Sequence, residues 1–190
     1  MIFTKCQSIL LQIYIFVSHD KDFIYEPRGF KCVEDMNETI VKNWNDLITA
    51  DDDVFILGDC MLNNNAKGMN LLESLNGRLH IITGNHDTNM RIKLYATAKN
   101  VVSIDTCATM LKYKKYNFYL SHYPTMTSNY DDKGLFGVIN LCGHLHTTDK
   151  FWDMDKHGLI YHVELDAHSM RPVLIDDIIE DIKWFYMEVE

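Results

Sequence analysis

Four apolar runs in this chain, residues 54–57, 79–83, 117–120 and 138–141, stop in the same manner. Each gives way to a small residue followed by side chains able to bind metal: Gly58-Asp59, Gly84-Asn85-His86-Asp87, Ser121-His122 and Gly143-His144-Leu145-His146. Short apolar runs bounded by turn residues read as β-strands. Strands that end together at one edge of a sheet bring residues distant in sequence into one site, held by a rigid scaffold. This ordered set therefore constrains fold and chemistry together.

A fifth run, residues 9–17, departs from the pattern. It ends in Ser18-His19-Asp20, without a clean metal-binding pair. The run follows Lys5 and superficially resembles a signal peptide. However, Gln12 interrupts it, no small-residue cleavage site follows, and it is far too short to span a bilayer. A buried first strand is the expected structure. No other segment approaches membrane length.

Between the strands, residues 33–48 place Val33, Met36, Ile40, Val41, Trp44 and Leu47 at a helical period. Residues 66–75 read as a second helix ended by Asn76-Gly77, residues 89–98 as a third and residues 174–185 as the last. Pro27-Arg28-Gly29 marks a turn, and Asp51-Asp52-Asp53 a solvated one. The second half is β-rich, with further strands expected at residues 101–104, 109–113 and 159–165. The fold class is α/β (α+β), a mixed sheet layered with helices. The chain has 190 residues, no linker, no repeat and no low-complexity tract, so one domain over residues 1–190 is expected.

Hydrophobic residues make up 47% of the chain, enough to build a packed core. The formal charge of −9 argues against stable nucleic-acid binding through a basic surface. It leaves a phosphate ester open as substrate, because metal cations can supply the positive field locally. The five cysteines are scattered and form no C-x-x-C pair, which suits a reducing, cytoplasmic setting. Cys60 beside Asp59 reads as a small packing residue.

The donor inventory narrows the chemistry. Asp59, His122, His144 and His146 offer one carboxylate and three imidazoles, and Asn85 adds an amide oxygen. Mixed nitrogen and oxygen ligation suits Mn, Fe, Co, Ni or Zn rather than calcium. The glycines before Asp59, Asn85 and His144 allow tight turns and close backbone approach. A single Gly-Asp or a lone histidine after a strand is commonplace. In Gly-His-x-His, an extended backbone turns His144 and His146 to the same side.

With these motifs, and with Tyr123-Pro124 after His122 and Arg171-Pro172-Val173 near the end, the chain resembles the calcineurin-like metallophosphoesterases. The likeness is to small bacterial and phage-type members and covers roughly residue 26 to the C-terminus. It implies a β-sandwich of mixed sheets flanked by helices and a dinuclear metal centre, with manganese the foremost candidate. It further implies that Asp59 bridges the metals, that Asn85, His122 and His144 complete one shell, and that His146 belongs to the other. His86 would face the substrate as general acid, protonating the leaving oxygen after attack by a metal-activated hydroxide. The substrate would be a small phosphomonoester or phosphodiester, nucleotide-like esters included.

The family's first strand ends in Asp-x-His, and both residues bind the metal shared with His146. Here Val17-Ser18-His19-Asp20-Lys21-Asp22 stands in that place. A lysine ammonium cannot ligate a metal, which leaves His19, Asp20 and Asp22 as substitute ligands. Two readings follow: a working metal-dependent phosphoesterase, or a catalytically impaired member that holds one metal or none and serves as a binding or regulatory module. Arg28 and Arg91 are expected at the surface, as are His80, His157, His162 and His168 unless they serve the core.

Overall fold

The computed structural model describes residues 9–12, 22–127, 137–152 and 159–189. Among the described residues, nine strands form two sheets. The first has five strands in the order β4 (Val101–Asp105), β3 (Arg78–Ile82), β2 (Asp53–Leu57), β1 (Ile9–Gln12) and β9 (Val173–Leu174). All its pairs are parallel except β1 with β9. The second has the order β5 (Ala108–Tyr113), β6 (Tyr116–Ser121), β7 (Val138–Cys142) and β8 (Ile160–His162). There β6, β7 and β8 run parallel. The helices are α1 (Asp22–Tyr25), α2 (Val33–Leu47), α3 (Asn65–Ser74), α4 (Asn89–Tyr95) and α5 (Ile175–Val189).

The period-2 alternation of the strands decides how the layers stack. On β2, Val54 and Ile56 turn to one side, and on β3 Leu79 and Ile81 do the same. Both pairs pack with Trp44 and Ile48 of the α2 region, Leu72 of α3 and Tyr95 of α4. The opposite face contributes Leu57 and Ile82. These join Phe118 and Leu120 of β6, Ile139 and Leu141 of β7, Tyr161 of β8, and Ile178 and Ile182 of α5. Two sheets share one apolar layer, and helices cover the far face of the first. This is the helix-flanked α/β sandwich expected from the sequence.

Helix α2 shows why the pattern succeeded. Val33, Met36, Ile40 and Trp44 form one buried stripe, and the Trp44 indole donates to the Asn76 carbonyl at 2.8 Å. Four details differ from the sequence reading. Residues 159–165 are not one strand, because β8 stops at His162 and Leu165–His168 forms a 3-10 turn. The last helix is preceded by β9, whose two residues pair with β1. The short α1 was not foreseen; four residues carry too little period to register. The aspartate turn is partly internal: Asp52 is buried and accepts from the Thr49 amide and hydroxyl, while Asp53 pairs with Arg78.

Candidate metal centre

The ends of β2, β3, β6 and β7 meet at one edge of the sandwich, and their trailing loops carry the four motifs. After β2, Gly58 takes φ +97° and Asp59 takes φ 53°. Asp59 is completely buried. Its Oδ1 accepts the His86 amide at 2.7 Å, linking the first motif to the second. The Asp59 carboxylate lies so close to Gly84 that a Cβ there would stand 2.3 Å from Oδ1. A Cβ on Gly58 would stand 2.4 Å from His122 Nδ1. Both glycines are therefore required by crowding, and Gly58 also by its left-handed backbone.

Buried His122 has an assignable tautomer. Its Nδ1 lies 2.9 Å from the Leu57 carbonyl, which can only accept, so Nδ1 carries the proton. In the neutral ring, Nε2 then presents a lone pair. It faces Asn85 Oδ1 at 2.8 Å, His144 Nδ1 at 3.1 Å and Asp59 Oδ2 at 3.4 Å. Asp59 Oδ2 has no hydrogen-bond partner despite its burial. Asn85 Oδ1 and Asp59 Oδ2 are acceptors facing the Nε2 lone pair, and a cation among them would relieve their repulsion. For metal–ligand bonds of about 2.0–2.2 Å, adjacent donors in a tetrahedral or octahedral shell stand about 2.8–3.6 Å apart. All three observed spacings fall in that range, so the donor set fits a metal ion. Asp59, His122 and His144 each offer one ligand atom, all within 4.8 Å of one another.

His144 also sits in left-handed backbone, at φ 76°. Burial, and next the neighbouring His122, hold its imidazole below the usual pKa. This favours the neutral form, which is the one that ligates. The half-exposed Tyr123 ring packs edge-on against both imidazoles, with centroids 4.9 Å from His122 and 4.6 Å from His144.

The turns are braced by Asp87, which the sequence reading placed in the second motif without a role of its own. Asp87 accepts the amides of Asp59 at 2.6 Å, Gly84 at 2.8 Å and Cys60 at 3.2 Å, and the Tyr95 hydroxyl at 2.6 Å. Burial raises its pKa despite these donors. Asn140 plays a similar part below His122, donating to Ser121 Oγ and accepting the Thr125 amide. A buried asparagine in the run 138–141 was the available sequence signal. Cys60 is buried as expected, and burial raises its thiol pKa well above the usual value.

The remaining expected residues lie around this group. His86 is exposed on the loop after β3, its carbonyl held by Arg91 Nη1 at 2.6 Å. His146 stands apart from the Asp59–His122–His144 group. Its Nδ1 lies 3.2 Å from Arg28 Nη2 and 3.6 Å from Asp166 Oδ2. Arg28 was expected at the surface, but only 4% of its side chain is exposed. It grips Asp166 through Nε at 2.8 Å and Nη2 at 2.6 Å. Burial raises the Asp166 pKa, but bonds from His146 and Arg28, with the guanidinium charge, outweigh it and bring the carboxyl down to about 2. His80 stacks on Phe55 and bonds Ser103 and Asp53, a structural role. His162 and His168 lie within the fold, with Nδ1 of His162 on the Asp149 carbonyl and Nε2 of His168 on the His162 carbonyl. The substitute ligands His19 and Asp20 lie outside the described residues, as does His157. Among the described residues, no helix is long and apolar enough to cross a membrane.

No protein-family model matches the chain. An uncharacterized protein from Methanocaldococcus jannaschii is 29% identical over 170 residues, covering 87% of this chain and 86% of that one. Among solved structures, a protein of unknown function from Aquifex aeolicus superposes with a TM-score of 0.67 at 17% identity, over 92% of this chain and 98% of its own. An archaeal phosphodiesterase gives a TM-score of 0.45 at 15% identity, over 89% of this chain and all of its own. The Aquifex likeness establishes that the whole sandwich recurs in another protein.

Proposed function

We propose that this chain is a metal-dependent phosphoric ester hydrolase acting on small phosphomonoesters or phosphodiesters. One observation supports the reading above the rest: Asn85 Oδ1, His144 Nδ1 and the unpaired Asp59 Oδ2 converge on the lone pair of His122. Asp59, Asn85, His122 and His144 would hold the ion, manganese being the first to test. A bound divalent ion supplies Lewis-acid stabilisation of phosphoryl charge and acidifies a water. The chain's own residues do the rest. Leu57 fixes the His122 tautomer, Asp87 fixes the backbone of Asp59, and the exposed His86 is free to approach a leaving oxygen and protonate it. Its amide on Asp59 Oδ1 ties that proton donor to the ligand shell.

The test is hydrolysis of an aryl phosphate ester with Mn²⁺. Asp59→Asn is expected to lower turnover by orders of magnitude, and His86→Ala to lower turnover more than metal content. Unchanged turnover in Asp59→Asn refutes the assignment. The engagement of His146 with Arg28 and Asp166 favours a second reading, in which one ion or none is held and the chain binds rather than hydrolyses. Elemental analysis giving two ions per chain, with activity dependent on His146, excludes that reading.

A further inference from the structure

Glu164 belongs to none of the motifs and follows β8, yet its side chain is fully buried beneath the last motif. Its Oε1 accepts the Leu145 amide at 3.0 Å and its Oε2 the Thr147 amide at 2.9 Å. Those are the amides that follow His144 and His146, both in left-handed backbone. For residues with a Cβ that conformation is strained, and it persists only where surroundings enforce it. Successive amides bent in this way form a concavity for an anion, and the Glu164 carboxylate occupies it.

We infer that Glu164 is a positioning residue of the metal centre, acting on His144 through the backbone of the turn. The inference rests on the metal-site reading above. Asp87 offers an internal parallel, since it gathers the amides of Asp59, Cys60 and Gly84 on one buried carboxylate. The site is thus built twice by one device: a left-handed ligand residue, and a buried anion that collects neighbouring amides. A glutamate placed only to satisfy the core would have no reason to gather the amides directly after both histidines of the turn, His144 and His146. Burial pushes the Glu164 pKa up to about 7, and the Leu145 and Thr147 amides oppose that rise.

Glu164→Gln tests this with little change of shape. One oxygen becomes an NH₂ that faces an amide donor, so one bracket is lost and the turn is pushed. Mn²⁺ affinity, measured by titration calorimetry on the full chain, is expected to weaken about 10–100-fold, the range typical for loss of a partner that orients a ligand. Tyr161→Phe is the control. It removes a half-buried hydroxyl bond to Asp181 at 2.5 Å, away from the turn, and is expected to keep wild-type metal affinity. Wild-type affinity in Glu164→Gln, or an equal loss in Tyr161→Phe, overturns the inference. If Glu164→Gln does not fold, Glu164→Asp keeps the charge but cannot span both amides. It should lose affinity about threefold or more, and an unchanged value overturns the proposal equally. If the wild-type chain binds no metal, the functional reading fails separately. Glu164 is then judged by amide hydrogen exchange at Leu145 and Thr147, expected to be at least about tenfold faster in Glu164→Gln. Unchanged exchange refutes it.

Discussion

Substituting Gly84 by alanine perturbs the centre without replacing any donor atom. Gly84 has no left-handed φ, so alanine meets no backbone penalty and the effect is steric. The new methyl would stand 2.3 Å from Asp59 Oδ1, 2.7 Å from its Cγ and 2.8 Å from its backbone nitrogen. Ordinary contact begins at 3.4 Å, so the carboxylate or the Gly84 backbone must retreat by about 1.1 Å. Asp59 is fully buried and Asp87 holds its amide, leaving little room to yield. Overpacking of this kind costs about 1–3 kcal/mol in folding stability. Metal sites tolerate displacements of about 0.2 Å, and a 1 Å misplacement of a working group costs about 100-fold in rate. Mn²⁺ affinity and kcat/KM should therefore each fall about 100-fold or more, while the metal-free melting temperature drops by only about 2–12 °C. Calorimetric titration beside a thermal melt separates the two effects. Wild-type metal affinity in a folded Gly84→Ala chain would refute the crowded-cradle reasoning.

Metal linkage at the centre and the Arg28–Asp166 pair beside it can each be tested by stability measurements. Saturating Mn²⁺ at about 100 times its dissociation constant should stabilise the fold by about 2.7 kcal/mol, and a chelator should reverse this in thermal melts. Asp59→Asn should abolish the response. Asp166, held at about pKa 2 against its ordinary 3.8, binds fewer protons folded than unfolded. Its contribution is complete above about pH 4 and is lost as pH falls toward 2, amounting to about 2 kcal/mol. Acid unfolding curves should show this loss, and Arg28→Met, which strands a buried carboxylate, should destabilise the neutral-pH fold by about 3–5 kcal/mol. An unaltered midpoint in Arg28→Met would contradict the buried pairing.

The convergence of Asp59 with His122 and His144 was legible in the sequence because it depends on local signals. Each donor follows an apolar run and a small residue, and parallel strands of similar length end at one edge. The braces were not legible in the same way. Asp87 reaches back 28 residues to Asp59, and Glu164 reaches 19 residues to Leu145; neither distance has a period to betray it. Arg28 looked like a turn residue at the surface because Pro27 and Gly29 flank it. Its burial depends on Asp166, 138 residues away. A glutamate inside the apolar stretch 159–165 was the one visible hint of Glu164, and it coincides with the point where β8 gives way to the 3-10 turn.

What separates this centre from an ordinary buried polar cluster is the combination of strain and unmet bonding. Asp59, His144 and His146 all occupy left-handed backbone, a conformation costing about 1–3 kcal/mol where a Cβ is present. A cluster retained only for stability would relax that backbone, or give way to apolar side chains of similar volume, which are often equal or better in a core. This cluster does neither. It keeps Asp59 Oδ2 buried without a hydrogen bond and turns the His122 lone pair toward two acceptor oxygens. It also commits two further buried carboxylates to holding the turns in place. The unmet bonding of Asp59 Oδ2 and the opposed acceptors is unfavourable in the bare protein, and a cation in the space they face would relieve it.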